Sequence, residues 1–184
     1  MLFRSEGFTL LCADENISLP FDKAGSNYWS SASLRAWLNG DFLSGFAAGE
    51  TELLQSSGNP VILPDRLRYE AEQGDMDFAC SHIAVLADRF HERAYRITTT
   101  DTVMLPGIEL AAQLARDGRD IAGRAWWLET PYCPSDTMVR YVGADGHIYF
   151  GDVTAERTVR PVVKIVKIKP RSGSGSRRDP FVLP

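Results

Sequence analysis

The chain has 184 residues, 44% of them hydrophobic and 24% charged, a composition that folds around a substantial core and excludes disorder over most of its length. Twenty basic against 24 acidic side chains give a formal charge of -4, which excludes a global field recruiting nucleic acid or an anionic membrane surface. No apolar run approaches the roughly 20 residues that span a bilayer, and the opening MLFRSEGFTLLCADEN lacks the basic start, apolar middle and cleavage site of a signal peptide.

In chain order, GFTLLCAD is a short apolar run that predicts a buried strand. In NYWSSASLRAWLNGDFL, Ser30 or Ser31 is placed to cap a helix over 33 to 39. Leu34, Trp37 and Leu38 share one face of it, and Gly40 suits the left-handed residue that ends it. Trp29 and Trp37 read as core anchors, since helical spacing already accounts for Trp37. A second short helix follows, with Phe46, Leu53 and Leu54 available for packing. From 58 to 80 the segments GNP, LPD and RYEAEQGDMD break any pattern, which predicts loops or one short strand. Ile83, Leu86, Ala87 and Phe90 then recur at helical spacing behind Ser81 as a cap. His82 and His91 fall on opposite faces of that helix, so a zinc site built with Cys80 is disfavoured. TDTVMLPGIELAAQLARDG reads as strand, turn and a helix over 107 to 117, with Gly118 as its stop.

In WWLETPYCPSD, Trp126 and Trp127 occupy successive strand positions and so point to opposite faces, a structural role for both, followed by a loop. In MVRYVGADGHIYFGDV, Asp145-Gly146 predicts a two-residue hairpin turn that pairs Val142 with Tyr149 and Arg140 with Gly151. That register buries Val139, Tyr141, Ile148 and Phe150 and turns Arg140, His147 and Tyr149 outward together. TVRPVVKIVKIKP predicts a further strand whose irregular lysines suit an edge or a bulge. The Gly/Ser-rich and basic close predicts a flexible tail over 171–184 after a single domain over 1–170.

YWSSASLRAWLNGDFL, TTTDTVMLPGIEL, AWWLETPY and RTVRPVVKI resemble, in order, four blocks of an uncharacterised bacterial domain family. The resemblance spans roughly residues 8 to 168 and is carried by Trp29, Leu34, Arg35, Trp37, Leu38, Asn39, Trp126, Trp127, Arg160 and Pro161. Glu129 and Thr130 depart from it, standing where the family usually has Arg and Ser, and residues 81 to 93 look like an insertion. The resemblance implies an α+β fold in which short helices pack on a mixed or antiparallel sheet with long loops, remotely similar to C-type-lectin-like and sulfatase-modifying-factor-like domains. Arg160 before Pro161 is placed to hydrogen-bond buried loop carbonyls.

Three widely spaced cysteines, Cys12, Cys80 and Cys133, leave at least one unpaired, which favours reduced thiols and a cytoplasmic setting. No phosphate-cradling glycine loop, metal-ligand cluster or nucleophile elbow is present, and no cofactor is implied. Two function classes follow. One is a non-catalytic binding or display module, of a cell surface, phage or mobile element, that takes a protein or carbohydrate ligand. Its site would be Tyr132, Asp136, Arg140, His147 and Tyr149, which combine aromatic faces, a fixed cation and a carboxylate. The other is a thiol enzyme using Cys133 with His147 as base. An oligomer-forming structural role is the third alternative.

Overall fold

The structure, a computed structural model, describes residues 2–4, 7–11, 17–62, 96–118, 121–132, 135–165 and 171–173. All three cysteines, the helix expected over 81 to 93 and most of the expected tail lie outside the described residues. The fold is α+β, with strands dominating. A five-stranded sheet runs in the order β3 (Ser18–Pro20), β10 (Glu156–Thr158), β7 (Trp126–Pro131), β8 (Met138–Val142), β9 (Ile148–Asp152). Its pairings are antiparallel except β10 with β7. A four-stranded sheet runs β1 (Leu2–Arg4), β2 (Gly7–Leu11), β11 (Val162–Ile165), β6 (Val103–Met104), and β4 (Ser57–Ile62) pairs with β5 (Arg96–Asp101).

All six residues of β7 are buried, because this strand is covered on both faces. Trp126 enters one apolar core with Val142, Ile148 and the helix Ile108–Arg116, α3. Trp127 enters the other with Phe21, Trp29, Leu34, Leu38 and Val162. Opposite faces are what strand geometry demands, and each ring finds a core of its own. Both indole N–H groups are satisfied, Trp126 donating to the Ile121 carbonyl at 3.0 Å and Trp127 to that of Leu19 at 2.9 Å. The strand continues to Pro131, so Leu128 to Pro131 are not the loop that the sequence predicts.

α3 begins after Gly107, which has no capping side chain, and Thr130 of β7 supplies the missing acceptor at 3.0 Å to the Ile108 N–H. It ends at Gly118, whose φ of +66° is the left-handed stop expected there.

The helix α1, Ser33–Trp37, is not capped by Ser30 or Ser31, which sit in a tight helical turn before it. Asp22 reaches in from outside, its carboxylate accepting the Ser33 N–H at 2.9 Å. Nor does Gly40 end the helix. Its φ is not positive, and the coil widens and runs on through Leu38–Phe42. Leu34 and Leu38 are buried as expected, whereas Trp37 is half-buried and packs on Phe42. A second short helix, α2, follows at Ala48–Thr51.

β11 is an interior strand, contrary to the edge that its lysines predict. It lies between β2 and β6, and Leu54 bridges to Ile165 where β6 stops. Lys164 is accommodated because its ammonium reaches the Ser57 hydroxyl at 3.0 Å.

The β8–β9 hairpin differs from its expected register by one residue. Val142 pairs with Ile148, Tyr141 with Tyr149 and Arg140 with Phe150. The loop has three residues, Ala144 to Gly146, with Gly146 at φ +81° and its N–H on the Gly143 carbonyl at 2.9 Å. One extra loop residue moves every side chain of β9 to the opposite face relative to β8. Tyr149 therefore shares a face with Tyr141, and Arg140 with Phe150.

Candidate functional site

Two constellations of polar side chains stand out. The first is a buried network behind α1. Asp101, at the end of β5, accepts Arg35 Nε at 2.7 Å, Trp29 Nε1 at 3.1 Å, Asn59 Nδ2 at 3.2 Å and Thr99 Oγ1 at 2.6 Å. Asn59 also donates to Glu129 Oε2 at 2.9 Å. Burial pushes the Glu129 carboxyl up to about 8, the Asn59 bond opposing and the nearby Asp101 and Glu109 charges adding to the rise. At neutral pH Glu129 is therefore a neutral acid. Glu109, on the first turn of α3, pairs with Arg96 of β5.

This network explains the LRAWLN block. Arg35 is clamped by Asp101 and by the Ser30 and Thr100 carbonyls. The Asn39 carbonyl oxygen accepts the Thr102 and Val103 N–H groups at 2.9 and 3.1 Å, and its amide donates back to the Val103 carbonyl at 2.8 Å. Four donors converge on Asp101, Arg35 on Oδ1 and Trp29, Asn59 and Thr99 on Oδ2, and they join α1 and the turn before it to β4 and β5, which is the work of a structural carboxylate.

The second constellation lies on the hairpin, on the Trp127 side of the sheet. Trp127, Tyr141 and Tyr149 occupy adjacent strands in register, an aromatic stripe that emerges from the core at β9. The Arg157 guanidinium of β10 lies 4.4 Å from the Trp127 ring centre and 3.9 Å from that of Tyr141. Tyr149 stacks on Tyr141 at 5.7 Å and is 43% exposed. Its hydroxyl donates to Asp145 Oδ2 at 2.7 Å, and the His147 N–H donates to Asp145 Oδ1 at 3.1 Å. The Tyr149 hydroxyl first, then the His147 N–H, hold the Asp145 carboxyl below its usual range, while the same bond raises the Tyr149 phenol. His147 Nδ1 stands 3.4 Å from Asp145 Oδ2.

Glycines make this packing possible. A Cβ at Gly143 would lie 2.5 Å from the Tyr149 ring, and one at Gly151 would lie 2.5 Å from the Arg157 guanidinium. Both positions are spaces that a ring or a guanidinium already fills.

Of the five expected site residues, the structure brings His147 and Tyr149 together and separates them from Arg140. Arg140 is fully buried on the other face, its guanidinium 5.5 Å from the Tyr132 ring centre, and Tyr132 in turn stacks on Phe150 at 3.9 Å. The outward position expected for Arg140 followed from the two-residue turn, and the three-residue loop reverses it. Asp136 is exposed at the far end of the hairpin, in a loop that the fully buried Asn27 holds through the Ser135 and Met138 carbonyls at 2.6 and 2.9 Å. Arg160 lies 4.8 Å over the Trp126 ring. Asp145, Tyr141 and Arg157 are the partners that sequence reading passes over. Asp145 carries the one legible signal, since an acid before glycine in a tight turn leaves its carboxylate outside the strands.

Cys133 lies outside the described residues, so the Cys133 and His147 pairing has no geometry here. Among the described residues no group of three or more His, Cys, Asp or Glu is placed to hold a metal ion, and no helix is long and apolar enough to cross a membrane. Compared with family models, with curated proteins and with solved structures, the chain finds no match.

Proposed function

We propose that the protein is a non-catalytic binding module whose ligand contacts the β8–β9 hairpin through Tyr149, Asp145 and His147. The observation that carries this reading is Tyr149, a large aromatic side chain left 43% exposed yet fixed at both ends. Its ring rests on Tyr141 and over Gly143, and its hydroxyl is tied to Asp145. Holding an aromatic side chain rigid in water removes in advance the ordering cost that a ligand would otherwise have to meet. The carboxylate and the imidazole beside it supply polar contacts of defined direction.

The buried carboxyl groups support the same reading. Asp101 accepts four donors of the fold and Glu129 is closed off inside the core, which favours cohesion over reaction for both. The test is a screen of the whole chain against glycan and protein arrays. A Tyr149→Ala variant is expected to lose the ligand found and to keep its melting temperature. A ligand retained by that variant overturns the reading.

A further inference from the structure

We infer that β9 is a docking edge for an extended basic peptide segment, which joins the five-stranded sheet as an added strand. The inference rests on the hairpin being the binding site and names the class of partner. β9 is the last strand of its sheet, and among the described residues no strand pairs with its outer side. The parity of the ladder shows which backbone groups face outward. The Gly143 N–H donates to the His147 carbonyl at 2.7 Å, which turns His147 toward β8. In an antiparallel pair the bonded positions alternate, so Tyr149 and Gly151 also turn inward. The N–H and C=O groups of Ile148 and Phe150 and the N–H of Asp152 are left pointing away from the sheet, while the Asp152 carbonyl accepts the Ala155 N–H at 3.1 Å.

Such a row is a template for another strand unless something blunts it. Proline, lysine and bulges are the usual guards. The strand reads IYFGD, with neither proline nor lysine, and its register against β8 is continuous from Ile148 to Asp152. The ionised side chains of the strand and its loop are acidic, and the cation beside them, Arg157 of β10, lies on the Trp127 face near Gly151 and Asp152. Asp145 stands at the loop end and Asp152 at the other, with no Lys or Arg between them. Both carboxyls titrate below their usual range, Asp152 chiefly through the Thr154 hydroxyl and then the Thr154 N–H.

This charge pattern selects the occupant. A second copy docked on this edge would bring its own Asp145 and Asp152 beside those of the first, adding charge of the same sign with no Lys or Arg on either strand to offset it. A segment with lysine or arginine near its ends meets both carboxylates instead, and one over the Tyr149 face gains a cation–π contact.

The experiment uses the whole chain and a short synthetic peptide alternating Lys and Val, with a peptide alternating Glu and Val as control. Backbone amide exchange is followed by NMR. The expected result is slowing, by roughly tenfold or more, at Phe150 and Asp152, with Tyr149 and Gly151 unchanged because they already face β8. The effect should fade as salt is raised, and Asp145→Asn and Asp152→Asn should each weaken it severalfold. Equal binding of the Glu peptide, or binding of the Lys peptide without slowing at Phe150 and Asp152, overturns the inference. If array ligands are lost in Tyr149→Ala while those amides stay unprotected, the binding reading stands and strand addition falls. If the Lys peptide protects them equally in Tyr149→Ala, the edge docks its peptide and the role given to Tyr149 falls.

Discussion

The side-chain amide of Asn59 donates to the Glu129 carboxyl at 2.9 Å and thereby ties β4 to β7 where neither residue reaches water. The bond sits in a network whose cost and gain depend on one proton. Glu129 titrates at about 8 in the folded chain against an ordinary 4.5. Between those values the folded state holds a proton that the unfolded state has released. Stability from this group is therefore complete below about 4.5 and falls, by about 1.4 kcal/mol per pH unit at most, as pH rises through about 8. Denaturant melts from about pH 5 to about pH 8 should show the decline, and Glu129→Gln, which keeps the shape without the titration, should flatten it. An unchanged slope in that variant would show the carboxyl to be solvated.

Asp101→Ala should destabilise the fold by about 3 to 5 kcal/mol, because it strands Arg35, Trp29 and Asn59 donors together in or near the core. Asn in its place keeps two acceptor directions and should cost less. Chemical denaturation of both variants tests the order. Equal losses would mean that the charge on Asp101, rather than its hydrogen-bonding shape, holds the network.

Trp126→Ala and Trp127→Ala should each cost about 3 to 5 kcal/mol by opening a cavity in a separate core. Trp37→Ala should cost less than either, since that ring is half-buried. Calorimetric melting of the three variants checks the ranking, which fails if Trp37 proves as costly as its fully buried counterparts.

Gly151→Ala should lower stability by about 1 to 3 kcal/mol, because its new methyl meets the Arg157 guanidinium and must lift it from the Trp127 and Tyr141 rings. Adding Arg157→Ala should restore part of the loss. A double variant no better than the single one would show that the strain lies in the backbone instead.

The helix over α3 and its stop at Gly118 were legible because apolar spacing and a terminal glycine point the same way. The opposed faces of Trp126 and Trp127 were legible for the same reason, strand geometry leaving no other arrangement. The hairpin tip was not. Asp145-Gly146 fits a two-residue turn and a three-residue one equally well, and the difference decides whether Arg140 is a surface cation or a buried one. Caps supplied from a distance, Asp22 for α1 and Thr130 for α3, leave no local trace either. Glu129 reads in sequence only as an acid after WWL, and only its burial beside Asn59 and Asp101 says what it does there.

β2, within the first dozen residues, lies against β11 near residue 165, and β3 lies against β10. Each of those pairings closes a loop of well over a hundred residues, so neither can form until synthesis has passed β10 and β11. A ribosome emitting about 5 to 20 residues per second leaves one edge of β7 unpaired until its neighbour strand β10 has emerged. Folding must then wait for long-range closure, which places this chain among slow, high-contact-order folders. Its early vulnerability is to aggregation during synthesis rather than to unfolding afterwards. Heat and denaturant would not reveal that weakness; the yield of soluble protein at different rates of expression would.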